Sequence, residues 1–343
     1  MKQIQQHLLK TALVSSLTFL AIASPADTLK VGMIGLDTSH VTAFTRLLHS
    51  DNPETGGGGV AKVVAGYPGG SKDIPSSGDR VAGYTEQMKN DFGVEIVDCL
   101  ETLCAKVDVV MLESVDGRPH LDQAIPAILA GKTLFIDKPL AGSLQDSIAI
   151  DLLAKKHNVP WFSSSAYRYY GSLTELMSKD LGEIRGATSY GPSTIEPHHP
   201  DFYWYGIHPT EALFTALGEG CETVTRVHTE DTDVVTGIWS GGRVGTLRGL
   251  RNASTPHQVT LFGTKGVASQ SGGGKYDPLV REIAQFLKTG VTPVPNSETL
   301  EIYTFMEAAD ESKRLGGVPV SMKAVFEKAH AAAIQDLKSR GLW

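Results

Sequence analysis

Leu29-Lys30-Val31-Gly32-Met33-Ile34-Gly35-Leu36-Asp37-Thr38-Ser39-His40 is the stretch that decides the fold. Its first eight residues form a short apolar run broken by Gly32 and Gly35. Asp37 to His40 are polar and suited to a turn, and an apolar-periodic stretch follows through Leu48. A buried strand, a tight turn and a helix are therefore expected in succession.

The same alternation continues outward. A glycine run at 56–59 precedes a second strand at Val60–Ala65, and a long polar loop, Tyr67–Asp79, follows. Loops of that length in a compact domain tend to be functional or disordered. Helices are expected at Val81–Asp91, Leu100–Lys106, Leu121–Ala130 and Leu144–His157. Between them lie strands at Val94–Val97, Val107–Leu112, Thr133–Ile136 and Trp161–Ser163. Strands alternating with helices imply a parallel sheet covered on both faces.

Beyond a boundary near Ala166–Gly171 the pattern changes. Short polar/apolar alternations near 186–189, 223–229, 234–239, 243–251 and 258–262 suit an antiparallel sheet with one exposed face. Helical periodicity returns at Thr210–Ala216, Pro278–Lys288, Glu298–Lys313 and Met322–Ser339. The expected class is α/β: a Rossmann-type parallel-sheet domain (27–168) plus a second α/β domain with a largely antiparallel open sheet (169–343).

Hydrophobic residues at 41% and charged residues at 20% are those of a chain that buries a core, and the net charge of −7 excludes a nucleic-acid footprint. Lys2 and Lys10, the uncharged run Thr11–Ala23 and small residues up to Ala26 read as a secretory signal over 1–26. The mature chain is therefore expected to be exported, periplasmic or secreted. No later segment is long and apolar enough to span a membrane. Cys99, Cys104 and Cys221 do not make a disulfide framework and are read as small core residues.

Several motifs occur together: Val31–Gly35 at the first strand, Leu112–His120 as a strand end leading to a His-bearing helix start, and Asp137-Lys138-Pro139 at the end of the strand after Gly131. Gly206-Ile207-His208 and Ala308–Ser312 follow in the second half. In this order they resemble the glucose–fructose oxidoreductase / inositol dehydrogenase / MocA (Gfo/Idh/MocA) family over nearly the whole mature chain. The acid-Lys-Pro turn is the most specific element. The resemblance implies an oxidoreductase acting on a sugar or sugar derivative with NAD or NADP, with open sheets that can pair into homo-oligomers. It implies that Lys138 lies between nicotinamide and substrate, where a cation stabilises developing alkoxide charge. It makes His208 the proton-transfer residue, for which an imidazole suits. Tyr203, Trp204, Tyr205 and Glu211 are the expected walls of its pocket, Tyr203 and Glu211 being further acid/base candidates. The cofactor site would involve Gly32, Gly35, Asp37, Thr38, Ser39, His40, Tyr67, Ser71, Lys72, Asp137 and Lys138.

The departures are informative. A dinucleotide turn uses G-x-G-x-x-G, the second glycine admitting the pyrophosphate and the third allowing close helix packing. Here Asp37 and His40 stand at those positions, and Asp37 is expected to turn away and cap the helix. The second strand should end in an acid for the adenosine ribose, but has Tyr67; Ser71 and Lys72 could hold a 2′-phosphate instead. Trp204 stands four residues before His208, where the family has Asp. No metal is expected: His198 and His199 are adjacent and poorly placed for one ion, and convergence of Asp37, His40, Glu113 and His120 is the alternative ligand set. His120 is read as fixing the strand–helix junction, and Arg168, Arg248 and Arg251 as surface or sheet-edge residues that could orient an acidic sugar. Two other functions remain open on this fold: a cofactor-free lyase or hydrolase acting on glycosides, and a non-catalytic carbohydrate-binding protein.

Overall fold

The computed structural model of the protein describes residues 28–251 and 256–343; the expected signal segment lies outside them. Six parallel strands, β1 (Leu29–Ile34), β2 (Ala61–Tyr67), β3 (Glu95–Ile96), β4 (Val109–Leu112), β5 (Thr133–Ile136) and β6 (Trp161–Phe162), form one sheet in the order β3-β2-β1-β4-β5-β6. This is the doubly wound order, with its topological switch between β1 and β4. Alternate side chains along β4 serve opposite faces. Val109 and Met111 join Val41, Phe44 and Met88 in one core, while Val110 and Leu112 join Leu103, Leu121 and Leu144 in the other. Period-2 pleating in a sheet buried on both sides explains the continuous apolar runs of sequence.

The second sheet has seven strands: β7 (Ile184–Pro192), β8 (Cys221–His228), β9 (Thr232–Trp239), β10 (Val244–Leu250), β11 (Gln258–Gly263), β12 (Val267–Ser269) and β13 (Val320–Ser321). Its order is β12-β11-β7-β10-β9-β8-β13, antiparallel except for the β7–β10 pair. One face packs under helices Ile207–Leu217 and Asn296–Arg314, burying Val224, Val235, Trp239, Leu247 and Leu261. The other face exposes Val227, Ile238, Val244, Phe262 and Val267.

Three details differ from the expectations above. The Tyr67–Asp79 loop contains a short helix, Pro75–Gly78, opened by Pro75 at its first position. Helix Asp277–Thr289 leaves the second sheet and packs on the first, where Phe286 meets Phe162 at 5.6 Å between ring centroids. Cys99 is exposed rather than core, while Cys104 and Cys221 are buried. No helix among the described residues is long and apolar enough to cross a membrane.

Candidate functional site at the strand ends

Gly35 ends β1 with φ +84°, and a Cβ there would lie 2.2 Å from Ser114 Oγ and 2.4 Å from Ser114 N. Only glycine makes this turn against the β4 end. The helix that follows, α1 (Ser39–Leu48), is capped by Thr38, whose side chain accepts from His40 N at 3.5 Å. Asp37 does turn inward, but not to cap: fully buried, its carboxylate accepts from Ser77 Oγ at 2.6 Å and from Val115 N at 3.0 Å. Burial outweighs these bonds and pushes its carboxyl above the usual range.

The cofactor residues expected around this turn separate into two groups. Gly32 is a packing glycine, since a Cβ there would meet Leu103 Cδ2 at 2.4 Å. Tyr67 accepts Gly35 N–H through its carbonyl oxygen, and Pro68 accepts Leu36 N–H at 2.7 Å, so the post-β2 loop lies on the β1 turn. Ser71 Oγ then donates to Asp116 Oδ2 at 2.5 Å, and Arg118 pairs with Asp73 at 2.9 Å and with Asp116. Lys72 is exposed. These bonds tie the β2 and β4 loops together across the position where a doubly wound fold holds the adenosine ribose. On the other side, Thr38, Ser39, His40, Lys138, Tyr167 and His208 line one cavity of about 450 Å³. The turn, the first amides of α1 and this cavity fit the pyrophosphate–nicotinamide half of a dinucleotide.

Lys138, nine-tenths buried, stands on the β5 exit with its Nζ 3.8 Å from Asp137 Oδ2. His40 Nδ1 donates to the same oxygen at 2.7 Å, and its ring stacks on Phe44. Burial alone would raise the Asp137 carboxyl; the His40 and Lys138 charges win and hold it below the ordinary value. Glu113, at the β4 exit, is completely buried. Neither of its carboxylate oxygens has a hydrogen-bond partner among the described residues, nor does Asp137 Oδ1. Burial first, then the Asp137 charge, pushes the Glu113 carboxyl well up.

The second domain supplies the opposite wall. His208 opens helix Ile207–Leu217, and its Nδ1 lies 2.8 Å from Ser165 Oγ in the turn after β6. Burial, then the charge of Lys138, hold His208 well below the usual histidine pKa, so the ring is neutral near pH 7. Tyr167, Tyr205 and His257 surround it at 5.0, 4.9 and 5.6 Å between centroids. Trp204 lines the cavity where an Asp partner is missing.

Other expected site residues lie elsewhere. Tyr203 is fully buried and donates to Glu307 Oε2 at 3.0 Å, away from the cavity. Glu211 accepts from Ser164 Oγ at 2.7 Å and Arg168 Nε at 2.5 Å, while Arg168 also reaches Glu298 at 2.6 Å. Both are therefore scaffold; Arg168 is not a surface residue but the centre of an ion triad in which Glu211 is buried and Glu298 half-buried. Arg251 is likewise buried, paired with Asp233. His120 has Ser114 O at 2.9 Å and Leu140 O at 3.1 Å from its two nitrogens, which fixes the strand–helix junction. His198 pairs with Glu196 at the surface, whereas His199 is buried and accepts from Gly117 N at 3.3 Å. The sequence reading passed over Ser165, Tyr167, His257 and Tyr276. Only Ser165 carried a signal, as part of a hydroxyl run, Ser163-Ser164-Ser165, at a strand end.

Residues 29–164 match the model of the Gfo/Idh/MocA family, described as an oxidoreductase family with an NAD-binding Rossmann fold. That match spans the first sheet, from β1 to β6. By sequence, no curated protein matches the chain. Among solved structures it is similar to myo-inositol 2-dehydrogenase from Lactobacillus plantarum, with a TM-score of 0.69 and 18% identity over 86% of this chain and 99% of that one. It is also similar to scyllo-inositol dehydrogenase from Lactobacillus casei, solved with NAD(H) and scyllo-inositol, with a TM-score of 0.68 and 16% identity over 86% and 99%. The similarity in both runs through the second sheet as well as the first.

Proposed function

We propose that the protein is an oxidoreductase that uses NAD or NADP on a polyhydroxylated substrate, a sugar, cyclitol or derivative, outside the cytoplasm. The observation that carries this reading is the shared cavity: Lys138 from the Rossmann sheet and His208 from the second domain line the same 450 Å³ space beside the first turn of α1. A bound nicotinamide would supply the hydride acceptor or donor.

This chain's residues do the rest. The amides opening α1 would hold the pyrophosphate. Lys138 binds the oxygen at the carbon that changes oxidation state and stabilises its negative charge; water-poor surroundings strengthen that contact. His208, neutral near pH 7, takes the hydroxyl proton on Nε2 while Ser165 Oγ accepts from Nδ1–H and sets the ring's orientation. Tyr167, Trp204, Tyr205 and Tyr276 give the cavity aromatic walls suited to sugar C–H faces. Self-association through the outer face of the second sheet belongs to the same reading, since five large apolar residues stand exposed there.

A second reading has one specific support. The Ser71–Asp116 and Ser77–Asp37 bonds across the adenosine groove suit an enzyme that does acid/base chemistry on glycosides in this cavity without a dinucleotide. Denaturing untagged protein and assaying released NAD or NADP by mass spectrometry, with thermal shifts on adding either, separates the two. Stoichiometric release or a saturable shift supports the oxidoreductase; neither, with turnover of glycosides, supports the second. With an identified substrate, Lys138→Ala is expected to lower kcat by about 10²–10³-fold, and unchanged turnover rejects the mechanism.

A further inference from the structure

We infer that His40, Glu113 and Asp137 form a binding site for one first-row divalent cation, of the Mn²⁺, Fe²⁺ or Zn²⁺ class, on the Rossmann side of the cavity. One nitrogen or oxygen atom from each lies within 4.8 Å of the other two, and all three residues are buried. The site is built by three separate elements, α1, the β4 exit and the β5 exit. They converge at the carboxyl ends of the strands, where open sheets place their ligands.

The second observation is independent of that clustering. Glu113 is 0% exposed, yet both its oxygens lack a partner among the described residues, and so does Asp137 Oδ1 at 1% exposure. Buried carboxylates are otherwise paired or bound to metal, because an unsatisfied one costs several kcal/mol. Lys138, whose Nζ lies 3.8 Å from Asp137 Oδ2, makes no hydrogen bond to either Glu113 oxygen.

Geometry and donor type agree. In an octahedral shell with metal–ligand distances of about 2.1 Å, donors lie about 3 Å apart when adjacent and about 4.2 Å when opposed. His40 Nδ1 and Asp137 Oδ2, at 2.7 Å, already approach an adjacent pair, and no two of the three donor atoms are more than 4.8 Å apart. An imidazole with two carboxylates suits first-row ions better than Ca²⁺ or Mg²⁺, which take oxygen donors almost exclusively. His40 also lines the cavity, which gives the ion an entry path and leaves its open positions facing the substrate space. The inference does not depend on the hydride chemistry above, since it stands on donor atoms and not on a dinucleotide.

The test uses untagged protein stripped with EDTA. Calorimetric titration with Mn²⁺, Fe²⁺ and Zn²⁺ is expected to show one saturable site for at least one ion, with a rise in Tm. Co²⁺ is expected to give visible d–d absorption of a nitrogen–oxygen site. Glu113→Gln, close in shape, and His40→Ala are each expected to weaken binding at least about 100-fold. In EDTA, Glu113→Gln is expected to melt no lower than the parent, because it removes an unpartnered buried acid. Failure of all three ions to bind at millimolar concentration would overturn the assignment. Binding that both variants leave unchanged would place the ion elsewhere and overturn it too.

Discussion

His257 offers the cleanest quantitative test of how the second domain's wall is assembled. Its ring lies 4.0 Å from Tyr167 between centroids, and neither nitrogen has a hydrogen-bond partner among the described residues. Burial alone lowers its pKa from 6.5 to about 4. The folded state therefore takes up that proton only near pH 4, whereas the unfolded chain takes it up near pH 6.5. Stability is fully present above 6.5 and is lost as pH falls towards 4, because there the unfolded state binds more protons. Between pH 7.5 and 4.5 the loss assignable to this one ring is about 2.5 kcal/mol, roughly 4 °C in Tm for a chain of this size. His257→Phe keeps the aromatic contact with Tyr167 and removes the titration. Urea unfolding of both proteins at the two pH values measures the difference. The variant is expected to match or exceed the parent at pH 7.5 and to retain about 2.5 kcal/mol more at pH 4.5. Parallel pH profiles, within about 0.5 kcal/mol, would refute the assignment of a neutral, desolvated ring.

Ser165→Ala removes the hydroxyl 2.8 Å from His208 Nδ1. A fall in kcat of at least about tenfold is expected with little change in KM, since the ring loses its orientation rather than a substrate contact; steady-state kinetics on the identified substrate checks this. Arg168→Met leaves Glu211 buried, and Glu298 half-buried, without their cation, so a loss of about 3 kcal/mol is expected in chemical denaturation.

Much of the first sheet was legible because a strand buried on both faces writes itself as a continuous apolar run between helical periods. Val109–Leu112 and Thr133–Ile136 are such runs. The second sheet was legible from alternation, but β12 and β13 were not. With three and two residues they are too short to show a period, and their pairing is supplied by β11 and β8. In the cavity, Lys138 could be read because motif and strand end coincide, whereas His208, which opens a helix, was expected from the Gly206-Ile207-His208 motif alone. Tyr203 and Glu211 were misplaced because proximity in sequence to His208 says little about direction. Tyr203 lies in the preceding short helix and faces Tyr303, while Glu211, almost a turn along from His208, faces Arg168. Asp37 was read as a cap because an Asp before a helix usually is one. Its partners, Ser77 and Val115, come from loops 40 and 78 residues away, which no local pattern shows. His40 and Asp137, 97 residues apart, meet only once β1 and β5 lie in one sheet.

The return of helix Asp277–Thr289 to the first sheet bears on how the chain comes into being. One face of that sheet, including Met111, Phe135 and Phe162, is covered in part by Leu279, Ile283 and Phe286. These lie more than a hundred residues beyond β6. A growing polypeptide that has completed the six parallel strands still presents a greasy face until the later segment has been synthesised. The Rossmann half is thus not a module that can mature first and wait for its neighbour. Its last layer arrives late, and a holding chaperone would bridge the interval.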